Sequence, residues 1–187
     1  MAIQQKPDDD KLRELILYIA DLSGQDVHFG AIKLNKLLFY ADFLAYQRLG
    51  RPITGQEYQT LPQGPAPRRL KPVIEKMQGK GDLRIERKRR FNRTQLRPIP
   101  GRLADLSKFN KEEAELVREM IARFWNMNAT QISEESHLFL GWQLMAVGET
   151  IPYSTVLIGN RRPTEREKRR AVRLQKFAKE ALAGNHR

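Results

Sequence analysis

The chain has 187 residues, with 34 Lys+Arg against 22 Asp+Glu, a net charge of +12, and no cysteine. At 40% hydrophobic and 8% aromatic residues it is too apolar for a disordered chain, and it is long enough to bury a core. The missing cysteines exclude disulfides, thiolate metal sites, cysteine nucleophiles and iron–sulfur clusters.

No apolar run approaches the ~20 residues that a bilayer span needs. The start, Met1 to Asp10, is polar and acidic and does not read as a signal peptide, so the expected location is the cytoplasm. Charge comes in blocks: net −1 over residues 1–60, +10 over 61–110, −4 over 111–160 and +7 over 161–187. Such a field suits an acidic protein surface or nucleic acid. It also suits two solvated faces that keep the protein in solution, and charge alone does not decide.

Residues 8–23 are predicted to form a first helix. Three aspartates suit its positive end, Leu12, Leu15, Ile16 and Ile19 recur at helical spacing, and Gly24 stops it. A second helix over 30–48, ended by Gly50 and Pro52, is apolar nearly all round, as a buried central helix should be. Two narrow polar stripes survive on it, Lys33–Lys36–Tyr40 and Asn35–Asp42. The helical period then lapses: residues 57–61 suit a short strand and Pro62 to Pro67 a stiff turn. A third helix is expected from Pro67 to Gln78. Leu83 and Ile85 alternate with charges, Phe91-Asn-Arg-Thr94 turns the chain, and Gln95–Ile99 returns, which predicts a hairpin with a basic outer face.

Asn110 with Glu113 forms a capping box that opens a helix from Lys111 to about Met127. A shorter helix follows Asn128 and reaches about His137, and Gly148–Tyr153 is a loop. Thr164 with Glu167 caps a final helix, whose apolar stripe is Leu174, Phe177, Ala178, Ala181 and Leu182, with a hinge at Pro163. The fold class is therefore mainly α with a small antiparallel β-sheet or hairpin (α+β). It is divided into one compact domain over 1–160 and a basic amphipathic helix over 161–187.

The search for chemistry yields little. His28, His137 and His186 are far apart with no ligand neighbour at helical spacing, so no metal site is expected. Neither common phosphate-cradling glycine motif occurs. Ser136 and His137 are adjacent, but successive helical residues point about 100° apart, so packing or capping is the stronger reading than a hydrolytic pair. No catalytic residue and no cofactor is assigned. Nucleic acid has a better case: Arg87, Lys88, Arg89 and Arg90 on the hairpin, and Arg169 and Arg170 on the last helix, suit phosphates. Aromatics are sparse there, which argues against stacking on single strands.

Five ordered blocks carry a resemblance. Lys33-Leu-Asn-Lys-Leu-Leu-Phe-Tyr-Ala-Asp42, Gly50-Arg-Pro-Ile-Thr-Gly55, Gln63-Gly-Pro-Ala-Pro67, Ser133-Glu-Glu-Ser-His137 with Trp142, and Gly148-Glu-Thr-Ile-Pro-Tyr153 resemble the SocA-like antitoxins that carry the Panacea domain. The likeness spans roughly residues 10–158 and departs at Gln63, where an aromatic is common. It implies a mainly helical domain with a small sheet, encoded beside a toxin and binding it directly. It does not identify the toxin.

The partner-binding residues expected on this basis are Lys33, Lys36, Tyr40, Gly64, Pro65, Pro67, Arg68, His137, Trp142 and Tyr153. Each has a plainer reading. Lys33 and Lys36 suit the wet edge of a core helix; Gly64, Pro65 and Pro67 suit a fixed turn; Trp142 suits the core. Asp42 suits either pairing with a basic neighbour in the core or an exposed role. The expected function is an antitoxin acting by direct protein–protein binding. The alternatives are a basic nucleic-acid-binding regulator and, behind it, a hydrolase using His137. A membrane partner is not expected; a homodimer is compatible with the sequence.

Overall fold

The computed structural model describes residues 6–90 and 93–158, together with Arg169 and Arg173. Helix α1 (Asp9–Leu22) begins at Asp8, whose carboxylate accepts the Lys11 amide at 2.8 Å, and two further aspartates occupy its first turn. Helix α2 (Ala31–Leu49) ends at Gly50, which takes the left-handed conformation at φ 74° that a residue with a Cβ adopts only at a cost. Strands β1 (Tyr58–Gln59) and β2 (Ala66–Pro67) pair antiparallel. Helix α3 (Leu70–Gly79) leads to a two-stranded ribbon of β3 (Leu83–Arg90) and β4 (Arg93–Pro100), in register from Leu83–Pro100 to Arg90–Arg93. Helices α4 (Lys111–Phe124), α5 (Ala129–His137) and α6 (Leu140–Leu144) follow, and a 3-10 turn over Tyr153–Leu157 closes the described chain.

Helix α2 is the axis. It contacts α1, α4, α5, β2, β4 and the last 3-10 turn. Leu34, Leu37, Leu38, Ala41 and Ala45 on it are fully enclosed, against Leu12, Leu15, Ile16 and Ile19 of α1 and Val117, Met120 and Phe124 of α4. Each large side chain of this kind contributes about 1.5–3 kcal/mol by leaving water, which explains why the all-apolar helix lies innermost. A second, aromatic cluster fills the far end of α2. Phe39 and Phe43 lie 4.5 Å apart between Tyr58, Phe139 and Tyr153.

The first two helices, the ribbon and the capping box at Asn110–Glu113 stand where local signals place them, and Asn128 with Gln131 forms a second box. Two expectations are corrected. Helix α3 starts at Leu70 rather than Pro67, because Ala66 and Pro67 are taken up as a strand against Tyr58 and Gln59. The segment 148–153 is not a plain loop: Thr150 bridges to Gln59 and Ile151 is buried. Helix α6, five residues long, is too short to show a period and was not foreseen. The boundary at residue 160, the hinge at Pro163, the final helix and the Phe91–Asn92 turn lie outside the described residues.

Candidate functional site

Lys33 and Lys36 sit one turn apart on α2, and both are enclosed at 1% and 2% exposure. The wet-edge expectation is therefore corrected. The Lys33 ammonium lies 2.6 Å from Asp26 and donates to the carbonyls of Trp125 at 3.0 Å and Met127 at 2.8 Å, so its three donors are all used. Lys36 has no such company: it donates to Pro65 O at 3.1 Å and forms no ion pair among the described residues. Burial without a counter-charge pushes it down to about 8.

Around Lys36 four of the other expected residues converge, Gly64, Pro65, His137 and Trp142. Gly64, at φ 95°, is packed so closely that a Cβ there would lie 2.4 Å from Ser136 Oγ and 2.8 Å from Lys36 Nζ. Ser136 donates to Ser133 O at 2.7 Å, not to its neighbour His137. His137 stacks on Trp142 at 4.1 Å between centroids, and Trp142 donates from Nε1 to Leu61 O at 3.0 Å. Burial, with help from the Lys36 charge, holds the imidazole below its usual range. The Gly64–Pro65 turn, α2 and the end of α5 thus form one clasp with the half-exposed His137–Trp142 pair on its outer side.

Asp42, fully enclosed, meets neither of its expectations. Among the described residues it has no cationic partner, and it has no exposure: the Thr54 amide donates to it at 2.6 Å, the Tyr58 hydroxyl at 2.7 Å, and the Thr54 hydroxyl as well. Burial raises its carboxyl while these three donors pull the other way. It ties the chain after Gly50 back onto α2.

The remaining expected residues are dispersed. Pro67 is buried in the β1–β2 pair. Arg68 is exposed and clamps the return loop, donating to Gly148 O at 2.5 Å and Thr150 Oγ1 at 3.1 Å. Tyr153 donates to Gln56 O at 2.6 Å and stacks on Tyr46. Tyr40 lines a cleft of about 340 Å³ with Phe39, Phe43 and Leu138, crossed by the Arg123–Glu135 ion pair at 3.3 Å. Of the basic residues, Arg87, Lys88 and Arg89 are exposed on the ribbon and Arg169 is exposed, while the Arg90 side chain and Arg170 lie outside the described residues.

Sequence reasoning missed a second concavity of about 470 Å³, between the starts of α2 and α5 and strand β4. Val27, Ile32 and Leu96 line it at 53%, 40% and 41% exposure. It also missed Arg97, 6% exposed, which donates to the carbonyls of Ser23, Gly24, Asp26 and Phe29 at 2.6–3.2 Å and nails the α1–α2 loop to the ribbon. One signal was available, a lone apolar Leu96 on the basic outer half of a hairpin. Among the described residues no His/Cys/Asp/Glu group is placed to hold a metal ion, and no helix is long and apolar enough to cross a membrane.

The family model described as antitoxin SocA-like, Panacea domain, matches residues 34–143, from α2 through Trp142 and its neighbour. No match is found among the curated proteins or the solved structures. The match takes in α2 with Lys36 and Tyr40, the Gly64–Pro65 turn, and the His137–Trp142 pair, the parts that form the clasp. With well over half of its length covered, the chain belongs to the SocA-like antitoxin family and carries the Panacea domain.

Proposed function

We propose that this chain neutralises a protein toxin by binding it directly, occluding or restraining the toxin's active site, and has no catalytic role of its own. Family membership carries the reading. The geometry supports it in two ways. The expected residues assemble a rigid scaffold rather than a reacting set: Lys33, Lys36, Gly64, Pro65 and Pro67 act behind the surface, by holding elements together. His137 and Trp142 reach solvent in part and are the contacts proposed for the partner on the clasp's outer side; Arg68, Tyr40 and Tyr153 also reach solvent in part and are proposed as contacts elsewhere on the surface. The toxin is proposed to be encoded by an adjoining reading frame.

The test is co-expression. The product of the adjoining frame should arrest growth alone, and this chain should restore growth and co-purify with it. The expected interface is of standard size, about 1,200–2,000 Å² in total. A neighbour that is harmless alone would remove the antitoxin reading.

The second reading, nucleic-acid binding, rests on the exposed Arg87, Lys88 and Arg89 of a two-stranded ribbon, a shape that fits a major groove. Binding to mixed-sequence duplex, lost on raising salt, would support it.

A further inference from the structure

The groove between α2, α5 and β4 has features that the clasp does not explain. Its exposed lining includes three apolar side chains, Val27, Ile32 and Leu96, beside the polar Thr94, Asn128 and Thr130. Cationic residues flank it: Arg87 stands directly opposite Leu96 in the ribbon and Arg89 directly opposite Thr94, so both arginines share a ribbon face with these two lining residues. Both are exposed and neither forms an ion pair among the described residues. Gly30, which starts α2 without a side-chain cap, is packed against Gln95 and Leu96 of β4, so the groove is floored where the helix begins. Two carboxylates beside the groove and the arginines are already ion-paired, Asp26 with Lys33 and Glu86 with Lys88.

We infer that this groove is the docking site for a segment of the partner toxin that presents apolar side chains flanked by carboxylates; the inference rests on the antitoxin reading above. The charge pattern selects this occupant. The chain's own segment 161–187, at net +7, carries the same sign as the flanking arginines and would be repelled. Nucleic acid would satisfy the arginines but leave Val27, Ile32 and Leu96 facing water. An acidic, apolar segment satisfies both, and opposite fields speed its encounter. The groove and the clasp are joined by α5, whose first turn lines one and whose last residue, His137, belongs to the other. At nine residues they lie about 13 Å apart, within one standard interface.

The test uses full-length protein and the toxin that co-purifies with it. Leu96→Asp, and separately Arg87→Glu with Arg89→Glu, are compared with Leu103→Asp, an exposed leucine outside the groove. Thermal melts establish that all three fold. The expected result is at least a tenfold rise in Kd for Leu96→Asp at any salt. The charge-reversed pair should show a similar rise at low ionic strength that shrinks at high, and Leu103→Asp should leave Kd unchanged. Groove variants with wild-type Kd and intact neutralisation would overturn the groove while leaving the antitoxin reading standing. Absence of any toxin complex with the wild type would overturn both. Two further outcomes would also overturn it: loss of duplex DNA binding with toxin affinity unchanged, or a dimer that Leu96→Asp converts to monomer, since either gives the groove another occupant.

Discussion

Gly64→Ala offers the most direct test of the clasp. The backbone there lies at φ 95°, and the added Cβ would sit 2.4 Å from Ser136 Oγ, 2.8 Å from Lys36 Nζ and 2.9 Å from Lys36 Cε. Two penalties combine. The left-handed conformation costs a residue with a Cβ about 1–2 kcal/mol. Overpacking adds about 1–3 kcal/mol. Its upper end applies because neither obstacle can swing away: Ser136 Oγ is held on Ser133 O at 2.7 Å, and Lys36 is enclosed. The sum, about 4–5 kcal/mol, is a large share of the ~5–15 kcal/mol that holds a typical domain together. Ser136→Ala removes the nearest obstacle and, on its own, costs about 1 kcal/mol for its hydrogen bond. In that background Gly64→Ala should therefore cost at least about 1 kcal/mol less than in the wild type, leaving the backbone term and the Lys36 contact. Urea unfolding of the four proteins, followed by tryptophan fluorescence, measures the cycle. An equal penalty in both backgrounds would refute the clasp geometry, and so would a Gly64→Ala protein as stable as wild type.

Four further outcomes are expected. Lys36 titrates near 8 in the folded state and near 10.4 unfolded, so between these values the unfolded chain binds more protons and stability should rise with pH, by on the order of 3 kcal/mol in full. The rise is cut short above about pH 10, where the unfolded tyrosines ionise while Tyr40, Tyr58 and Tyr153 are held protonated by burial. Urea midpoints at pH 7.5 and 9.5 check this, and Lys36→Met should flatten the slope. Leu38→Ala, at a fully enclosed position, should cost about 2–5 kcal/mol, and an unchanged urea midpoint would mean that α2 is not the core. Arg97→Lys should cost about 2–4 kcal/mol and speed amide exchange over residues 23–30, because one ammonium cannot span the four carbonyls that the guanidinium bridges. Truncation after Asn160 should leave a folded domain that binds toxin more weakly, with the loss smaller at high salt; a truncated chain that fails to melt cooperatively would place the last segment in the core.

The elements that local rules could place are those whose signals lie within a few residues. The acidic first turn of α1, the Asn110–Glu113 box, the glycine after α2 and the alternation of the ribbon each act over one or two turns, and each holds in three dimensions. The two polar stripes of α2 were equally visible as stripes. Whether their charges met water was not a local matter. Lys33 is satisfied by carbonyls 92 and 94 residues away, and Lys36 by one 29 residues away. Backbone carbonyls have the same chemistry at every residue, so no sequence pattern announces them as partners. Asp42 became an internal tie for the same reason, its three donors coming from Thr54 and Tyr58 across a chain reversal. The groove is the converse case. Val27, Ile32 and Leu96 read singly as a loop residue, a helix residue and a strand residue, and only the docking of β4 through Gln95 and Arg97 onto the α1–α2 loop sets them side by side. Periodicity says which face of an element is apolar; what lies opposite that face is decided by long-range packing, and there the scaffold and the open surface part company.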